Sequence, residues 1–431
     1  MRTSFWRIVV AAAALVILSD TLPAQAPDRP PATVIRAGTL IDPEAGTAAR
    51  NQSILVENGK ITAIGASVSA PPGATVVDLS RTAVMPGLFD AHTHLCLDVD
   101  VARDGGSYFY TVLNDPDTLR AIQGAVNAKT MLEAGFTTVR DVGNEGNYAC
   151  SSVRGAIERG LIPGPTMQNA GRIIAPYGGQ FRLQPDRKGI VGAEYIFADT
   201  RDEMLKGIRE NLHYGATVIK IVVDDQRYIY SPEDIRFMVD EAARAGVKLA
   251  AHVWTRQGAH NAALAGVASM EHLNGADEQD LETAKKNGIT AVFTPFPRQE
   301  LERMLPKPAA QETYDTEMAQ LKKGLRTGIP IAFGTDAITQ APGLTRGQTA
   351  LLWIDSYVQA GVPTKTLLKA MTSNAARLLG VDKERGTLAV GMAADIIATP
   401  ENPLDNVAAL KSVVFVMKNG RIIRSLDAAG R

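Results

Sequence analysis

The sequence has almost no net charge and very little cysteine. Its 45 lysine and arginine residues balance 46 aspartate and glutamate residues, so it lacks the charge excess that attracts nucleic acid or anionic lipid. We therefore expect no nucleic-acid partner. Two cysteines, Cys96 and Cys150, are too few for a disulfide scaffold and form at most one bridge, which the sequence leaves open. An apolar fraction of 45% excludes a disordered protein.

Long apolar runs are absent beyond the first residues. At the start, Arg2 and Arg7 precede the apolar run 8–18, and residues 24–26 form an A-x-A cleavage pattern. The run is too short to span a bilayer, and no later stretch approaches ~20 apolar residues. We predict a signal peptide over residues 1–26 and an exported protein, periplasmic or secreted, without stable membrane association after processing. An uncleaved membrane anchor is the alternative.

Both ends of the remaining chain carry the pattern of short β-strands. Residues 27–82 and 381–431 contain short apolar runs separated by turn residues. Asn58-Gly59 and Asn419-Gly420 are typical two-residue turns, because both positions tolerate a positive φ. We predict that the two segments pack together as one small β-sandwich domain that stabilises and orients the rest of the protein.

Between these ends, residues 83–380 alternate apolar strands with helical stretches. Several of the strands are nearly continuous apolar runs, as in parallel strands covered by helices. Eight such runs occur: 83–92, 137–142, 165–171, 216–223, 247–253, 269–273, 290–295 and 330–336. One intervening helix has Ser231 as its N-cap, Pro232 in its first position and Gly246 at its end.

Eight strand–helix units over ~250 residues have the size of a (β/α)8 barrel. The predicted fold class is therefore α/β, a TIM-like barrel with the small β-sandwich domain built from both chain ends. A doubly wound open sheet is the alternative, but no glycine-rich phosphate loop follows the first strand.

Ionisable side chains collect at the ends of the predicted strands, where barrels of this kind carry their chemistry. Four of the six histidines belong to this set, with one lysine inside the fourth strand and one aspartate after the eighth: His92, His94, Lys220, His252, His272 and Asp336. His92 and His94 share one face of their strand, because side chains alternate. Imidazole and carboxylate groups suit zinc, with manganese, iron or cobalt as alternatives.

Each of these residues alone also has an ordinary explanation. A single histidine in a strand is commonly a packed core residue, and Gly-Thr-Asp is typical of a turn. Lys220 differs, because an unpaired ammonium in an apolar strand is costly; its alternatives are a side chain that reaches the surface and a buried ion pair. Cys96 is predicted as a small core residue rather than a ligand. The joint occurrence of the six favours a metal site.

Seven motifs carry a further signal when they are taken together. They are PGLFDAHTH at 86–94, IKI at 219–221, AH at 251–252, EHL at 271–273, GTDA at 334–337, TSNAARLLG at 372–380 and GMAADI at 391–396. In this combination the chain resembles the amidohydrolase superfamily over essentially all of its length after the signal segment.

The resemblance implies a binuclear metal centre. It assigns the buried metal to His92, His94 and Asp336, and the more exposed metal to His252 and His272, with a CO2-derived carbamate on Lys220 bridging both. A carbamate forms on a neutral amine, and an apolar strand lowers the pKa of a lysine in that direction. The implied reaction is attack of a metal-bridging hydroxide on a carbonyl, with Asp336 as general base and then general acid. Two divalent ions against carbamate, Asp336 and hydroxide leave about +1 for an anionic substrate group or an oxyanion.

The nearest patterns belong to metal-dependent Xaa-Pro dipeptidases, carboxypeptidases and hydrolases of N-acyl amino acids, including the mycotoxin ochratoxin A. We therefore expect an amide or peptide hydrolase that releases a C-terminal amino acid from a small-molecule substrate, a dipeptide or an N-acyl amino acid. Two substrate-contacting positions depart from the pattern: a Gly-Gly-His is here Gly-Gly-Gln180, and a tyrosine after the fifth-strand histidine is Trp254. Gln180 still binds a carbonyl, and Trp254 offers an apolar wall.

Three further residues are candidates for substrate contacts. Arg140 ends the second strand, where a guanidinium binds a carboxylate bidentately; a structural network of Arg140 with Asp141 is an equal alternative. Tyr228 and Tyr230, just past the fourth strand, either wall the pocket or pack their loop.

Two other classes of function stay open at the level of sequence. The same fold hydrolyses cyclic amides, lactones or phosphotriesters with a similar metal set, and a non-catalytic binding protein is the third class. The latter predicts missing ligands, whereas all six are present. Barrels with such β appendages often pair, so a homo-oligomer is an option that the sequence leaves open.

Overall fold

The computed structural model describes residues 32–187 and 189–425. The predicted signal peptide and the last part of the predicted C-terminal β segment, residues 426–431, lie outside the described residues. Within the described part of the chain, no helix has the length and apolarity needed to cross a membrane.

Sixteen strands are formed by the described residues. They are β1 Thr33–Asp42, β2 Thr47–Glu57, β3 Lys60–Gly65, β4 Thr75–Pro86, β5 Leu88–Thr93, β6 Phe136–Asp141, β7 Thr166–Asn169, β8 Ile173–Ala175, β9 Tyr195–Phe197, β10 Val218–Val222, β11 Lys248–Val253, β12 Ser269–His272, β13 Thr290–Val292, β14 Ile396–Thr399, β15 Phe415–Lys418 and β16 Arg421–Arg424.

Helices connect most of the central strands. They are α1 Val101–Asp104, α2 Tyr108–Asn114, α3 Asp117–Glu133, α4 Ala149–Glu158, α5 Arg201–His213, α6 Pro232–Arg244, α7 Arg256–Ala265, α8 Glu278–Lys286, α9 Arg298–Met304, α10 Lys307–Thr327, α11 Arg346–Ala350, α12 Trp353–Gln359, α13 Thr364–Ala370 and α14 Ser373–Leu379, with short 3-10 turns at Pro185–Arg187 and Val407–Ser412. The predicted signals of α6 are confirmed: Ser231 Oγ accepts a hydrogen bond from Asp234 N at 3.1 Å, and Gly246 has φ +72°.

The two chain ends meet in one sheet of seven strands, in the order β16-β15-β14-β4-β1-β2-β3. The junction is the antiparallel pairing of β14 with β4, while β1 lies parallel to β4 on its other side. Buried apolar side chains from both ends, among them Ile35, Ile54, Ile396 and Phe415, form one cluster. The hydrogen bonds describe a single sheet, so the sandwich stays a prediction.

The predicted first barrel strand, 83–92, is wrong at its beginning. Residues up to Pro86 belong to β4 of the terminal sheet, and β5 starts at Leu88. Pro86 has no N–H for a ladder, and Gly87 donates its N–H to Asp395 O at 3.0 Å. A Cβ at Gly87 would lie 2.2 Å from Thr137 Oγ1, so only glycine lets the chain pass this point.

The central strands run parallel and alternate with helices. β5, β6 and β7 form one ladder, and β8 and β10 to β13 form another, with β9 at its edge. Backbone hydrogen bonds link the two ladders: Thr217 N donates to Asn169 O, and Ala91 N donates to Phe333 O. Two predicted strands differ: the third, 165–171, contains only β7 and is followed by β8, which was not predicted, and the eighth pairs as a strand only at Ile331. β9 was not predicted.

A disulfide joins Cys96 to Cys150, which are both fully buried. Cys96 is therefore a core residue as predicted, and it is also bonded, which the sequence left open. The bond closes a loop with a sequence separation of 54 and ties the segment after β5 to the start of α4.

We expect reduction of this disulfide to lower the free energy of unfolding by about 2–4 kcal/mol, because the unfolded chain regains the freedom of the closed loop. Urea unfolding with and without reductant measures the difference. The double variant Cys96→Ala/Cys150→Ala is the control, since its unfolding has to be insensitive to reductant. Equal unfolding curves for the oxidised and reduced wild type would contradict the prediction.

Candidate metal centre

The six predicted ligands lie at the carboxyl ends of the parallel strands and line one cavity of about 150 Å³. His92 belongs to β5 and His94 follows it; Lys220 belongs to β10, His252 to β11 and His272 to the end of β12, and Asp336 follows the eighth strand segment. The parallel strands bring these ends together, although the residues are spread over most of the chain.

His92 presents an unpartnered nitrogen to this cavity. Its Nδ1 lies 2.7 Å from a carboxylate oxygen of Glu271, which only accepts, so Nδ1 carries the proton. Nε2 is buried and has no hydrogen-bond partner among the described residues. Burial holds the pKa of His92 well below its usual value, so the ring is neutral at pH 7. A neutral imidazole with an unused lone pair is the form that binds a metal.

His94 has a comparable Nδ1 contact but a different charge balance: burial lowers its pKa, the contact with Asp336 raises it, and the net pKa is above its usual value. Its Nδ1 lies 2.7 Å from the carbonyl oxygen of Gly143, so this nitrogen is also the donor. Its Nε2 faces Asp336 Oδ1 at 3.0 Å. Two atoms that both offer lone pairs repel each other unless a cation or a proton lies between them. A proton on His94 satisfies this contact as an ion pair, and a metal ion that displaces the proton would be bound by both atoms.

The other ligands complete two clusters. Potential ligand atoms of His92, His272 and Asp336 all lie within 4.8 Å of one another, and His252 forms a second such group with Asp224 and Asp225. The ring centres of His252 and His272 are 4.6 Å apart, so the two clusters are adjacent.

Two of the candidate ligands have a strained backbone. His272 has φ +66° and Asp336 has φ +56°, in the left-handed region that non-glycine residues rarely adopt. Such a conformation costs roughly 1–3 kcal/mol and persists where the surrounding structure imposes it. Strain at these positions points to a functional constraint on where the side chains lie.

Lys220 is buried between apolar neighbours in β10. Burial lowers the pKa of its amine to about 8. Among residues 32–187 and 189–425, no carboxylate lies within ion-pair distance of Lys220 Nζ, and the side chain does not reach the surface. The two structural alternatives for this lysine, a surface-reaching side chain and a buried ion pair, are therefore wrong.

Arg140 is buried and is not among the residues that line the cavity. Its guanidinium donates to Ala91 O at 2.6 Å, Ser269 Oγ at 2.9 Å and Glu271 Oε1 at 2.8 Å. These contacts favour the structural alternative, with Glu271 rather than Asp141 as the partner. Because Glu271 also holds His92, Arg140 positions a candidate ligand through this carboxylate.

We expect Arg140→Ala to lower the free energy of unfolding by about 3–5 kcal/mol, because it leaves the buried carboxylate of Glu271 unpaired. Urea unfolding measures the loss, and the KM of the folded fraction should stay near the wild-type value. Arg244→Ala is the matched control: this arginine pairs with Glu241 at the surface and should cost less than about 1 kcal/mol. A large rise in KM without loss of stability would instead favour a substrate contact.

The predicted substrate-binding residues divide into two groups. Gln180 and Trp254 line the cavity, and the Trp254 ring stacks on His252 with centres 5.9 Å apart. Tyr228 and Tyr230 lie outside it. Tyr230 is fully buried and donates its hydroxyl to Ala198 O at 2.6 Å, so it packs its loop, and Tyr228 is half-exposed on the surface.

Three residues of the site were missed at the level of sequence. Tyr108 and Asn144 line the cavity, and Asp225 contacts two residues that line it. The amide Nδ2 of Asn144 is buried and has no hydrogen-bond partner among the described residues. The position of Asp225, shortly after the strand that carries Lys220, was the one available signal.

Comparison with known proteins shows similarity over nearly the whole chain. The amidohydrolase family matches residues 83–423. Ochratoxinase of Aspergillus niger is 30% identical, over 92% of this chain and 88% of its own. The crystal structure of a Xaa-Pro dipeptidase with methionine bound in the active site has a TM-score of 0.80 at 25% identity, over 91% of this chain and 99% of that one. The crystal structure of the A. niger ochratoxinase has a TM-score of 0.78 at 26% identity, over 92% and 96%.

Proposed function

The chain belongs to the amidohydrolase family, a group of hydrolases with an α/β TIM-like barrel that act on amide bonds, and from this premise we propose that it releases a C-terminal amino acid from a dipeptide or an N-acyl amino acid. The observation that carries the proposal is the convergence of His92 and His94, whose Nε2 atoms both face Asp336, beside a buried lysine. This donor set suits two divalent metal ions, with zinc as the first choice.

The proposed ligands follow the order of the strands. His92, His94 and Asp336 would hold the buried ion, His252 and His272 the more exposed one, and a carbamate on Lys220 would bridge them. When bound, such ions supply polarisation of the scissile carbonyl and activation of water at neutral pH.

The carbamate is supported by the environment of Lys220. Its pKa of about 8 leaves roughly a tenth of the amine neutral at pH 7, against well under a thousandth at the ordinary value. The neutral amine is the form that reacts with CO2. The carbamate then places an anion in a strand where an ammonium would have no partner within the described residues.

Asp336 is proposed to move the proton in the reaction. Its carboxylate is partly exposed, lies 3.0 Å from His94 Nε2 and is held by a backbone hydrogen bond from its own N–H to His92 O at 2.8 Å. From this position it can take a proton from the attacking water and deliver it to the leaving nitrogen. Glu271 and Gly143 contribute by fixing the tautomers of His92 and His94.

Side chains around the ligands are proposed to bind the substrate. Asn144 would donate its unpartnered amide N–H to a substrate oxygen, and Trp254 would form an apolar wall beside His252. The cavity of about 150 Å³ suits a small acyl or aminoacyl group next to the scissile bond. The activities for which two relatives are named, an ochratoxinase and a Xaa-Pro dipeptidase, are both compatible with release of an amino acid.

Export of the protein is also proposed. The amino-terminal pattern of residues 1–26 supports it, and so does the disulfide between Cys96 and Cys150, because such bonds persist in oxidising compartments. Detection of the processed protein in the periplasm or medium, with the bond intact, tests this point.

The proposal is tested by metal analysis together with a panel of dipeptides and N-acyl amino acids. About two metal ions per chain and the release of a free amino acid are expected. If metal is bound but no amide is cut, lactones, cyclic amides and phosphotriesters become the substrates to examine. A protein without metal after incubation with zinc would overturn the proposal.

A further inference from the structure

One carboxylate beside the metal centre has no role in the proposed function. Asp225 lies in the loop after β10, and its Oδ1 is 3.2 Å from His252 Nε2. Its side chain is mostly buried, with 19% of its area exposed. This carboxylate is not itself part of the cavity lining, but it contacts His252, which lines the cavity and is a proposed ligand of the more exposed metal.

The orientation of Asp225 is set by a chain of hydrogen bonds. Gln180 Nε2 donates to Asp225 Oδ2 at 2.7 Å, and Tyr195 donates its hydroxyl to Gln180 Oε1 at 2.6 Å. One carboxylate oxygen is thereby fixed to the cavity wall, and the other stays on the side of His252. A side chain held in this way is preorganised for recognition.

Its neighbour Asp224 provides a contrast. Asp224 accepts hydrogen bonds from the backbone N–H groups of Trp254 and Thr255 and from the Thr255 hydroxyl, so it closes the turn after β11. Asp225 receives no backbone hydrogen bond in the described part of the chain. Asp224 therefore has a structural role in this turn, and Asp225 has none there.

The charge of the cavity changes when Asp225 is included. The family ligand set alone leaves about +1, and an additional carboxylate brings the centre to about zero. Among the described residues that line the cavity there is no arginine, and Lys220 is the sole lysine. With Lys220 as a carbamate, a substrate carboxylate finds no cationic side chain in the lining, whereas a substrate ammonium finds the carboxylate of Asp225 in contact with two lining residues, Gln180 and His252.

We propose that Asp225 is a specificity-determining residue that binds an ammonium group of the substrate next to the scissile amide. This inference rests on the proposed function, because it assumes that the amide carbonyl lies at the metal centre. The ammonium belongs either to the amino terminus of a dipeptide or to the side chain of the released amino acid. Both sources present the same chemistry to Asp225.

Two matched pairs of compounds distinguish these sources. L-Alanyl-L-phenylalanine and N-propionyl-L-phenylalanine differ only by an ammonium on the acyl side. N-Propionyl-L-lysine and N-propionyl-L-norleucine differ only by an ammonium on the leaving side. For each pair, kcat/KM is measured with the metal-loaded wild type, with Asp225→Asn and with Asp186→Asn, which removes the same charge from an exposed position.

We expect the wild type to prefer the cationic member of one pair by about ten- to a hundredfold, the worth of a charged hydrogen bond in a largely buried site. The pair that shows the preference identifies the source of the ammonium. Asp225→Asn should remove most of this preference while retaining both metal ions, and Asp186→Asn should keep it.

Three results would overturn the inference. The first is a wild type with the same kcat/KM for both members of each pair. This result requires no variant. The second is an Asp225→Asn protein with an unchanged preference, and the third is one that loses a metal ion by elemental analysis, since Asp225 would then be a ligand. If no compound is hydrolysed, the proposed function fails by itself, and calorimetric binding of the same pairs to the wild type then decides the role of Asp225.

Discussion

Replacing Asp336 by asparagine is expected to lower kcat by about 10²–10⁴-fold, the usual contribution of a positioned general acid–base group. Asparagine keeps an oxygen that can lie 3.0 Å from His94 Nε2, so the site keeps its shape. It cannot take a proton from water or deliver one to the leaving nitrogen. The loss should therefore fall on turnover rather than on KM.

Metal analysis has to accompany the kinetics of this variant, because Asp336 is also a proposed ligand. Two metal ions with a reduced kcat would separate proton transfer from metal binding. Asp240→Asn, which changes an exposed aspartate on α6, is the matched control and should keep the wild-type rate. An Asp336→Asn enzyme with near wild-type turnover would show that another group moves the proton.

The convergence of the ligands could be predicted from the sequence because it depends on regular structure. Side chains alternate along a strand, and parallel strands end on the same side of a barrel. Residues such as His92 and His252 at the ends of apolar runs must therefore lie near each other, although 160 positions apart in the chain. The structure brings them to one cavity.

Strand boundaries were less predictable because an apolar run does not indicate which sheet it joins. The apolar run that starts at residue 83 contributes strands to two different sheets. The chain passes from one sheet to the other at Gly87, where Thr137 approaches the backbone closely. The division between β7 and β8 likewise follows from their partners, β6 on one side and β10 on the other. Such long-range pairings have no local periodicity.

Residues in loops and buried polar pairs were missed for a related reason. Arg140 and Glu271 are 131 positions apart in the sequence, and the residues near each of them give no indication that the two side chains pair. Asn144 and Asp225 lie in loops, whose conformation has no period that places a side chain inside or outside. The strand pattern therefore predicts the metal-ligand candidates, whereas the positions of the loop residues around them require the three-dimensional structure.

Replacing Lys220 by alanine is expected to lower kcat/KM by about a thousandfold or more, since a carbamate that bridges the two ions would be lost with several kcal/mol of transition-state stabilisation. Metal content should fall in parallel. Lys248→Ala is a control at another strand lysine with a lowered pKa: Lys248 is exposed at the start of β11, and its amine donates to Arg377 O and Leu378 O instead of facing the cavity. That variant should lose stability and keep its metal.

The carbamate itself can be separated from the lysine by controlling CO2. Metal loading of the metal-free wild type should be slow in CO2-depleted buffer and fast with bicarbonate, because the amine of Lys220 must react before it bridges the ions. The Lys220→Ala variant leaves the space of the lysine side chain empty at the cavity. Formate or acetate should therefore partly restore its activity by supplying the missing carboxylate. Loading that is independent of CO2, together with no recovery by small carboxylates, would leave Lys220 as a neutral buried amine and would remove the bridging ligand from the proposed centre.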